Sequence, residues 1–418
     1  MKKTIKLAVV AALALGTTSA FATNGVNLMG IGAKSRAMGG TGVAQFQGAE
    51  SGFNNPALIA NVKGTEVSIA GTYFSPSVSL EQSKSTPLVG AQAGTNDSAA
   101  GASMLPAISM ASKINDNFAW GLALYGVAGM GVDYLNEKGS TDPENKTFAG
   151  GSNDNWLVMR FALPLAYTTN NFSVGFAPII QYGLLTVPQM GGHDATGAAV
   201  GAQSTGGVAS DLGLGFEIGA AYTISGLTLG LDYKSAISQQ YKNVFNSNID
   251  GSGASATTDV QDKLATPASF GIGASYNMNE HTIAIDYKLI QYGSADGLDD
   301  FGWEDQSVYA IGYEYATTGW ALRAGYNYGA SPINTDVAAD GSNQEVVMGS
   351  LIQFPGVTES HYSLGGTYEF SEKVSMDLAY VYATGSASAD LAFPTTETTT
   401  ITATNDQSSL TAAVNFNF

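Results

Sequence analysis

Histidine, the side chain best suited to acid–base chemistry near neutral pH, occurs three times, at His193, His281 and His361. His193 lies in a Gly-rich stretch and His281 in a tight turn. His361 stands beside Ser360 and Ser363, with no evident carboxylate partner. Because a Ser-His-Asp site assembles from distant residues, an enzyme such as a lipase stays an alternative. We predict no catalytic residue and expect a protein that is not an enzyme.

The composition restricts other kinds of chemistry. The chain has no Cys, which excludes disulfides, thiolate metal sites and a Cys nucleophile. Its 17 Lys and Arg against 35 Asp and Glu give a net charge of −18, which argues against a nucleic-acid partner. We therefore predict no cofactor and no metal site. With 51 Gly, 20 Tyr and only 12% charged residues, the chain suits β-structure in lipid better than a soluble enzyme.

The first 22 residues have the pattern of a signal peptide. Lysines stand near the start, residues 7–15 are apolar, and Ala20-Phe21-Ala22 fits an A-x-A cleavage site. The apolar run is too short for a membrane-spanning helix. We predict that residues 1–22 are removed and that the chain is exported to a bacterial envelope.

Alternation of apolar with small or polar residues runs from residue 65 to the C-terminus. LTLGLDYK (227–234) and KVSMDLAYVY (373–382) are examples, and this period predicts strands with one apolar face. Such segments occur near 65–80, 103–113, 117–134, 154–168, 172–187, 209–224, 226–238, 263–278, 281–293, 305–317, 319–330, 358–371, 373–386 and 406–418.

The connections between these segments alternate between six short turns and seven long loops. Trp120 and Trp320 fall near short turns, whereas Trp156 and Trp303 fall near long loops, as in aromatic girdles at two interfaces. We predict an all-β fold, a 14-stranded antiparallel transmembrane β-barrel spanning 65–418 in a bacterial outer membrane. The terminal Phe418 is similar to the signal that barrel assembly machinery reads.

Charged residues alternate with apolar ones within the predicted strands, which places them on the lumen face. We expect them to form a network that pairs charges and anchors an internal segment. The members are Arg160, Glu217, Asp232, Lys234, Asp286, Lys288, Arg323, Glu369 and Asp377. The long loops are acidic as well, so lipopolysaccharide phosphates bridged by divalent cations are a candidate partner.

Residues 23–64 precede the barrel and do not alternate. They are Gly-rich and moderately apolar, too apolar for a disordered tail and too short to bury a core alone. We therefore predict that they form a plug, or hatch, inside the lumen.

Two parts of this segment, GAKSRAMGGTGVAQ (32–45) and NNPAL (54–58), resemble the FadL/TodX family of outer-membrane channels for hydrophobic compounds. LATPASFGIGASY (264–276) and HYSLGGTYEF (361–370) match too, and the resemblance covers the predicted mature chain. It implies a monomeric fourteen-stranded barrel, an N-terminal hatch with an NPA motif, capture of ligand outside and lateral release into the membrane.

The resemblance also implies an opening at the third strand, where this chain has Gly126, Gly129 and Gly131. It places the NPA turn beside that opening. We expect the hatch and gate to include those glycines together with Phe53, Asn54, Asn55, Pro56 and Ala57.

The ligand pocket is a guess on the fifth strand, at Phe176, Ile180, Leu184 and Leu185. That strand has no Lys or Arg in its upper half, whereas fatty-acid channels of the family are expected to place cations beside the pocket. This departure favours uncharged hydrocarbons over long-chain fatty acids. The alternative function is a general diffusion porin, with a wet and unplugged lumen.

Overall fold

The fold was obtained as a computed structural model that describes residues 23–85, 93–134, 153–189, 208–242, 244, 262–392 and 398–418. The predicted signal peptide and His193 lie outside the described residues. The chain forms a closed barrel of fourteen antiparallel strands, because β14 pairs with β1 from Ile401–Gln82 to Asn417–Glu66. The prediction of an all-β barrel with an internal hatch is confirmed.

The strands follow one another around the barrel in chain order. Their bounds are β1 Thr65–Gln82, β2 Gly94–Asp97 and Ser103–Lys113, β3 Phe118–Asp133, β4 Asn153–Ala162 and Leu165–Thr169, β5 Phe172–Gln189, β6 Val208–Ile224, β7 Leu227–Lys234, β8 Ala268–Met278, β9 His281–Gln291, β10 Gln306–Thr317, β11 Trp320–Gly329, β12 Ser360–Ser371, β13 Val374–Thr384 and Ser386–Leu391, and β14 Thr399–Asn417. An inner ribbon joins Ile237–Gln240 to Lys263–Thr266.

Alternation along each strand decides which side chains face outward. On β7, Leu231 is 45% exposed while the neighbouring Asp232 is 5% exposed. The short turns hold the strands in register, and Asn170, Ser225 and Asn279 adopt the positive φ values that two-residue hairpin turns require. The short turns therefore lie at one end of the barrel and the long loops at the other.

The hatch contains little regular structure. It has two two-residue strands, Thr23–Asn24 and Asn27–Leu28, helix α1 over Ala33–Ala37, and 3₁₀ helices over Glu50–Phe53 and Pro56–Asn61. The long loops add a 3₁₀ turn at Tyr292–Ser294 and helix α2 at Gln344–Gln353. Within the described part of the chain, no helix has both the length and the apolar character needed to cross a membrane.

Glycines of the barrel wall make room for the hatch. A Cβ at Gly219 would overlap the Asn55 side chain, and a Cβ at Gly325 would overlap the backbone of Gly39. The hatch backbone therefore lies directly against the wall, closer than any side chain would permit.

Candidate functional site

The third strand separates from the second halfway along its length. Pairing between β2 and β3 runs from Lys113–Ala119 to Ala107–Tyr125 and ends there. Pairing between β3 and β4 continues to Asp133, after a register shift between Gly126 and Ala128. Pro106 stands on β2 where the pairing stops and has no N–H to offer. The β2 side of upper β3 is therefore free of its neighbouring strand.

The released half of β3 turns into the lumen. Residues 125–132 are buried on both faces, whereas residues 118–124 alternate as on an ordinary wall strand. Ala128 pairs instead with Asn27 of the hatch, and Gly129 N donates to Val26 O at 3.3 Å. Ala128 and Gly129 therefore have backbone partners in the hatch in place of β2. Such partners matter at membrane depth, where no water is present to pair with the backbone.

The three glycines predicted for the gate differ in their surroundings. A Cβ on Gly126 would lie 3.7 Å from Leu105 Cδ2 and 4.0 Å from Leu105 Cβ, so Gly126 faces the gap between β2 and β3. Gly129 is engaged with the hatch. A Cβ on Gly131 would lie 2.7 Å from Asp154 O on β4, so its small size serves strand packing.

An interior cavity of about 80 Å³ lies behind the released strand, between the hatch and the barrel wall. Its lining combines apolar hatch and β3 residues with cationic wall residues. Among them are Leu28, Ile31, Phe53, Asn54, Val127, Arg160, Asp232, Lys234 and Lys288. The Phe53 ring lies 4.9 Å from that of Tyr125, at the point where β3 leaves the wall.

Arg160 is a guanidinium in the cavity lining that has no carboxylate partner among the described residues. Its side chain is 5% exposed, with Nε donating to Gln181 Oε1 at 2.9 Å and Nη2 to Thr266 Oγ1 at 2.9 Å. The ion pairs among the described residues do not include Arg160. A buried guanidinium with free N–H groups can bind a carboxylate at this site.

The charge of Lys234 is balanced by two carboxylates of the barrel wall, and Lys234 also donates a hydrogen bond to the hatch. Its Nζ lies 3.0 Å from Glu217 Oε1 and 2.9 Å from Asp232 Oδ2. The same Nζ donates to Asn54 O at 3.2 Å. The hatch is thus tied to β7 next to the cavity.

A second wall contact holds the middle of the hatch. The Asp286 Oδ2 atom accepts hydrogen bonds from Gly42 N at 2.8 Å and Val43 N at 3.0 Å. Lys288 Nζ donates to Gly40 O at 2.8 Å. Both charges therefore bind hatch backbone.

A third charged group lies towards the short-turn end. Arg323 Nε binds Glu314 Oε2 at 2.6 Å, and Arg323 Nη1 lies 3.6 Å from Asp377 Oδ1. Lys34 of the hatch lies 3.9 Å from Asp377 Oδ2. Glu369, predicted for the same network, is exposed and lines a polar vestibule of about 310 Å³ at this end.

The sequence interpretation missed Glu50, a buried carboxyl group of the hatch. It accepts hydrogen bonds from Ala33 N and Lys34 N, each at 3.2 Å, and from Ser68 Oγ at 3.0 Å. Burial, together with the negative charge of Asp377, raises the pKa of Glu50. The sequence offered one indication of this role. Glu50 lies in the segment predicted to be enclosed as a hatch, where an acidic side chain needs a hydrogen-bond or charged partner.

The NPA turn packs into the wall and positions its neighbours at the cavity. Asn55 Nδ2 donates to Val43 O at 2.7 Å, and Asn55 Oδ1 accepts from Ala57 N at 3.0 Å as the cap of the following 3₁₀ helix. Pro56 begins that helix. Of the predicted hatch residues, Phe53 and Asn54 line the cavity, whereas Asn55, Pro56 and Ala57 hold the turn against the wall.

The predicted pocket on β5 is corrected by the structure. Phe176 and Ile180 are 46% and 47% exposed on the outer surface, and Leu184 shares their face. Only Leu185 points inward and is buried. The even-numbered residues of β5 face outward because the odd-numbered positions carry the smaller or polar residues that the hatch requires, as at Gly175.

The candidate Ser–His arrangement does not form a nucleophile–base pair. His361 is fully buried and neither ring nitrogen has a hydrogen-bond partner. Ser363 Oγ donates to Ala37 O at 3.1 Å, so it binds the hatch. None of the His, Asp and Glu side chains in the described ranges gather in threes at a geometry suited to a metal ion.

Comparison with known proteins bears on this architecture. The model of a family described as outer membrane protein transport protein (OMPP1/FadL/TodX) matches residues 7–418. A Chlorobium limicola protein, described as an uncharacterized protein in the phosphoenolpyruvate carboxykinase gene 5' region, is 46% identical over 83 residues. That match covers 19% of this chain and 41% of the relative, less than half of its length.

Solved structures share the fold at low identity. A Pseudomonas aeruginosa FadL homologue is 17% identical with a TM-score of 0.68, over 94% of this chain and 100% of that one. The Pseudomonas putida toluene transporter TodX is 17% identical with a TM-score of 0.64, over 93% and 99%. The Ralstonia pickettii toluene transporter TbuX is 18% identical with a TM-score of 0.60, over 93% and 99%. With a family match over nearly its whole length, the chain belongs to the OMPP1/FadL/TodX family of outer membrane transport proteins.

Proposed function

We propose that this protein, acting as a channel and not as an enzyme, carries hydrophobic small molecules into the outer membrane by lateral release between β2 and β3. The observation that carries the proposal is the loss of β2–β3 pairing above Ala107–Tyr125, beside an interior cavity. A molecule leaving through this gap enters lipid directly, without crossing a polar aqueous path.

The cavity is smaller than the several hundred Å³ typical of ligand pockets. The hatch segment around Asn27–Ile31 occupies the remaining space beside β3. We infer that this segment moves aside when a ligand binds, because its backbone pairing with β3 among the described residues consists of the pair Asn27–Ala128 and the adjacent bond from Gly129 N to Val26 O.

Uptake by whole cells tests the function. A strain lacking its own channel of this kind, complemented with this chain, is expected to accumulate labelled hydrophobic substrate faster than the vector control. The panel should include oleate, toluene and an alkane, with equal amounts of folded protein in the outer membrane. Accumulation equal to that of the vector for every compound would contradict the proposal.

The substrate class follows from Arg160. Its guanidinium lacks a carboxylate partner and lines the cavity, so we propose that hydrophobic carboxylates such as long-chain fatty acids are preferred over hydrocarbons. Arg160 on β4, Lys234 on β7 and Lys288 on β9 all line the cavity, although β5 contains no Lys or Arg. TodX and TbuX are described as toluene transporters, which keeps hydrocarbons as the second candidate.

Replacing Arg160 with Gln is expected to separate the two classes. Loss of a charge-assisted contact of about 1.5–3 kcal/mol predicts roughly tenfold or greater loss of oleate binding, with toluene uptake unchanged. Lys234→Gln is unsuitable as a control because Lys234 also anchors the hatch. Equal loss for oleate and toluene would assign Arg160 a structural role.

Deleting residues 23–60 distinguishes this channel from a general diffusion porin. The hatch fills the lumen, so its removal is expected to raise the single-channel conductance in planar bilayers well above that of the full chain. Unchanged conductance would mean that the lumen is already open to ions, as the porin alternative requires.

We further propose that the protein is a monomer surrounded by lipid and lipopolysaccharide. Because β14 pairs with β1 along most of its length, neither of these two strands offers a free edge to a second copy. Phe418 is 78% exposed at the end of β14, as recognition by barrel assembly machinery would require. The exposed acid Asp299 on a long loop can contribute to bridging of lipopolysaccharide phosphates through divalent cations.

A further inference from the structure

Arg36 places a positive charge between the hatch and the barrel wall without an opposite charge beside it. Its side chain is 2% exposed, with Nη1 donating to Gly30 O at 3.2 Å and Nη2 to Ser409 Oγ at 2.5 Å. Nε has no acceptor, and the ion pairs of the described residues do not include Arg36. Burial lowers the pKa of Arg36 to about 10, which still leaves it protonated at neutral pH.

Acidic residues around the hatch have partners other than Arg36, and Glu50 accepts from Ala33 N, Lys34 N and Ser68 Oγ. Asp377 is bound to Arg323 and Lys34, and Asp286 accepts from the hatch backbone. A buried guanidinium that satisfies only two of its N–H groups with neutral acceptors is costly, because charge and hydrogen-bond donors are both left uncompensated. Something else is therefore needed to neutralise Arg36.

The wall beside Arg36 contains a niche of polar atoms. His361 on β12, Ala383 on β13 and Gln407 on β14 are register partners in one row across the lumen face. Ser363 and Ser409, two residues along the same strands, contact helix α1 directly. The niche is therefore next to α1, the helix that carries Arg36.

The side chains of this row are short of partners. The middle residue of the row, Ala383, has only a methyl side chain and offers no hydrogen-bonding group. Both ring nitrogens of His361 and the Gln407 Oε1 atom lack hydrogen-bond partners, although both residues are buried. Water could satisfy hydrogen bonds here, but it would leave the guanidinium charge unbalanced.

We propose that the niche bounded by Arg36, Ser409, His361 and Gln407 binds one small monovalent anion, such as chloride. The anion accepts from Arg36 Nε and from the N–H of the neutral His361 ring. Burial on all sides excludes a fatty acid or other large ligand. The bound ion fastens α1 of the hatch to β12–β14, on a different side of the hatch from the cavity that contains Arg160.

Thermal unfolding of the purified protein in neutral detergent tests the site. At constant ionic strength, replacing sodium gluconate with sodium chloride or bromide is expected to raise the unfolding midpoint by several degrees and to saturate, because the ion binds only the folded state. The Arg36→Gln variant is expected to lose this response. Arg160→Gln removes a different buried guanidinium and is expected to keep it. Equal halide responses in the original chain and in Arg36→Gln would overturn the proposal.

Crystals of the unsubstituted protein grown in sodium bromide provide a test that does not depend on variant folding. An anomalous peak within hydrogen-bond distance of Arg36 Nε is expected. A niche that contains only water at saturating bromide would overturn the proposal, whatever the result of the uptake measurements.

Discussion

A disulfide joining Leu105→Cys and Gly126→Cys is expected to reduce uptake at least about tenfold, equivalent to about 1.4 kcal/mol on the release barrier. A Cβ at Gly126 lies 4.0 Å from Leu105 Cβ, within the range that disulfide geometry requires. The bond would bridge the lower edge of the gap and prevent β2 and β3 from separating further. Because the chain has no Cys, these would be its only thiols.

The measurement is substrate uptake by cells under oxidising conditions, repeated after addition of a membrane-permeant reductant. Reduction is expected to restore uptake. The matched control joins Ser109→Cys and Ala123→Cys, register partners on the same strands where pairing is intact. That control is expected to transport normally in both states. Normal uptake by the oxidised Leu105–Gly126 variant would mean that substrates leave the lumen elsewhere.

Replacing Lys234 with Met is expected to cost about 3–5 kcal/mol of unfolding free energy. The change leaves Glu217 and Asp232, both buried, without their shared cation. It also removes the bond to Asn54 O, so the hatch loses a tie beside the cavity. The midpoint of urea unfolding from detergent or lipid vesicles measures the loss.

A fully neutral version of the same cluster is the control. Glu217→Gln, Asp232→Asn and Lys234→Met together are expected to recover most of the stability, because no unpaired charge remains buried. The triple variant still lacks the bond to Asn54, so faster amide exchange in the hatch should persist. A triple variant as unstable as Lys234→Met alone would show that the stability depends on the bond to the hatch and not on charge compensation.

The barrel could be predicted from sequence because its determinants are local. Alternation along segments such as LTLGLDYK places Leu231 outward and Asp232 inward without reference to any other strand. The two-residue turns carry their own signal, since Asn and Gly tolerate positive φ. Many strand bounds follow within a few residues, whereas β14 begins at Thr399 and not near 406, and β13 extends to Leu391 and not 386.

The site could not be predicted in the same way because it depends on contacts distant in sequence. On β5 most odd-numbered residues are small or polar, so alternation places Phe176 outward and Ala177 inward, but it does not show which inward residues line a cavity. The partners of Arg160 come from β5 and from the ribbon after β7, at Gln181 and Thr266. The absence of a carboxylate beside Arg160 among the described residues therefore becomes visible only when three separate segments are placed together.

The wall glycines have a consequence for assembly and for evolution. The Asn55 side chain lies against Gly219 and the hatch backbone lies against Gly325, each at a distance that excludes a Cβ, so the shape of the lumen wall matches this particular hatch. A barrel that closed first would have to admit the hatch afterwards into a space that fits it with little clearance. We expect the hatch to be enclosed as the last strands pair, and we expect hatches not to be exchangeable between relatives unless the facing wall positions are exchanged with them.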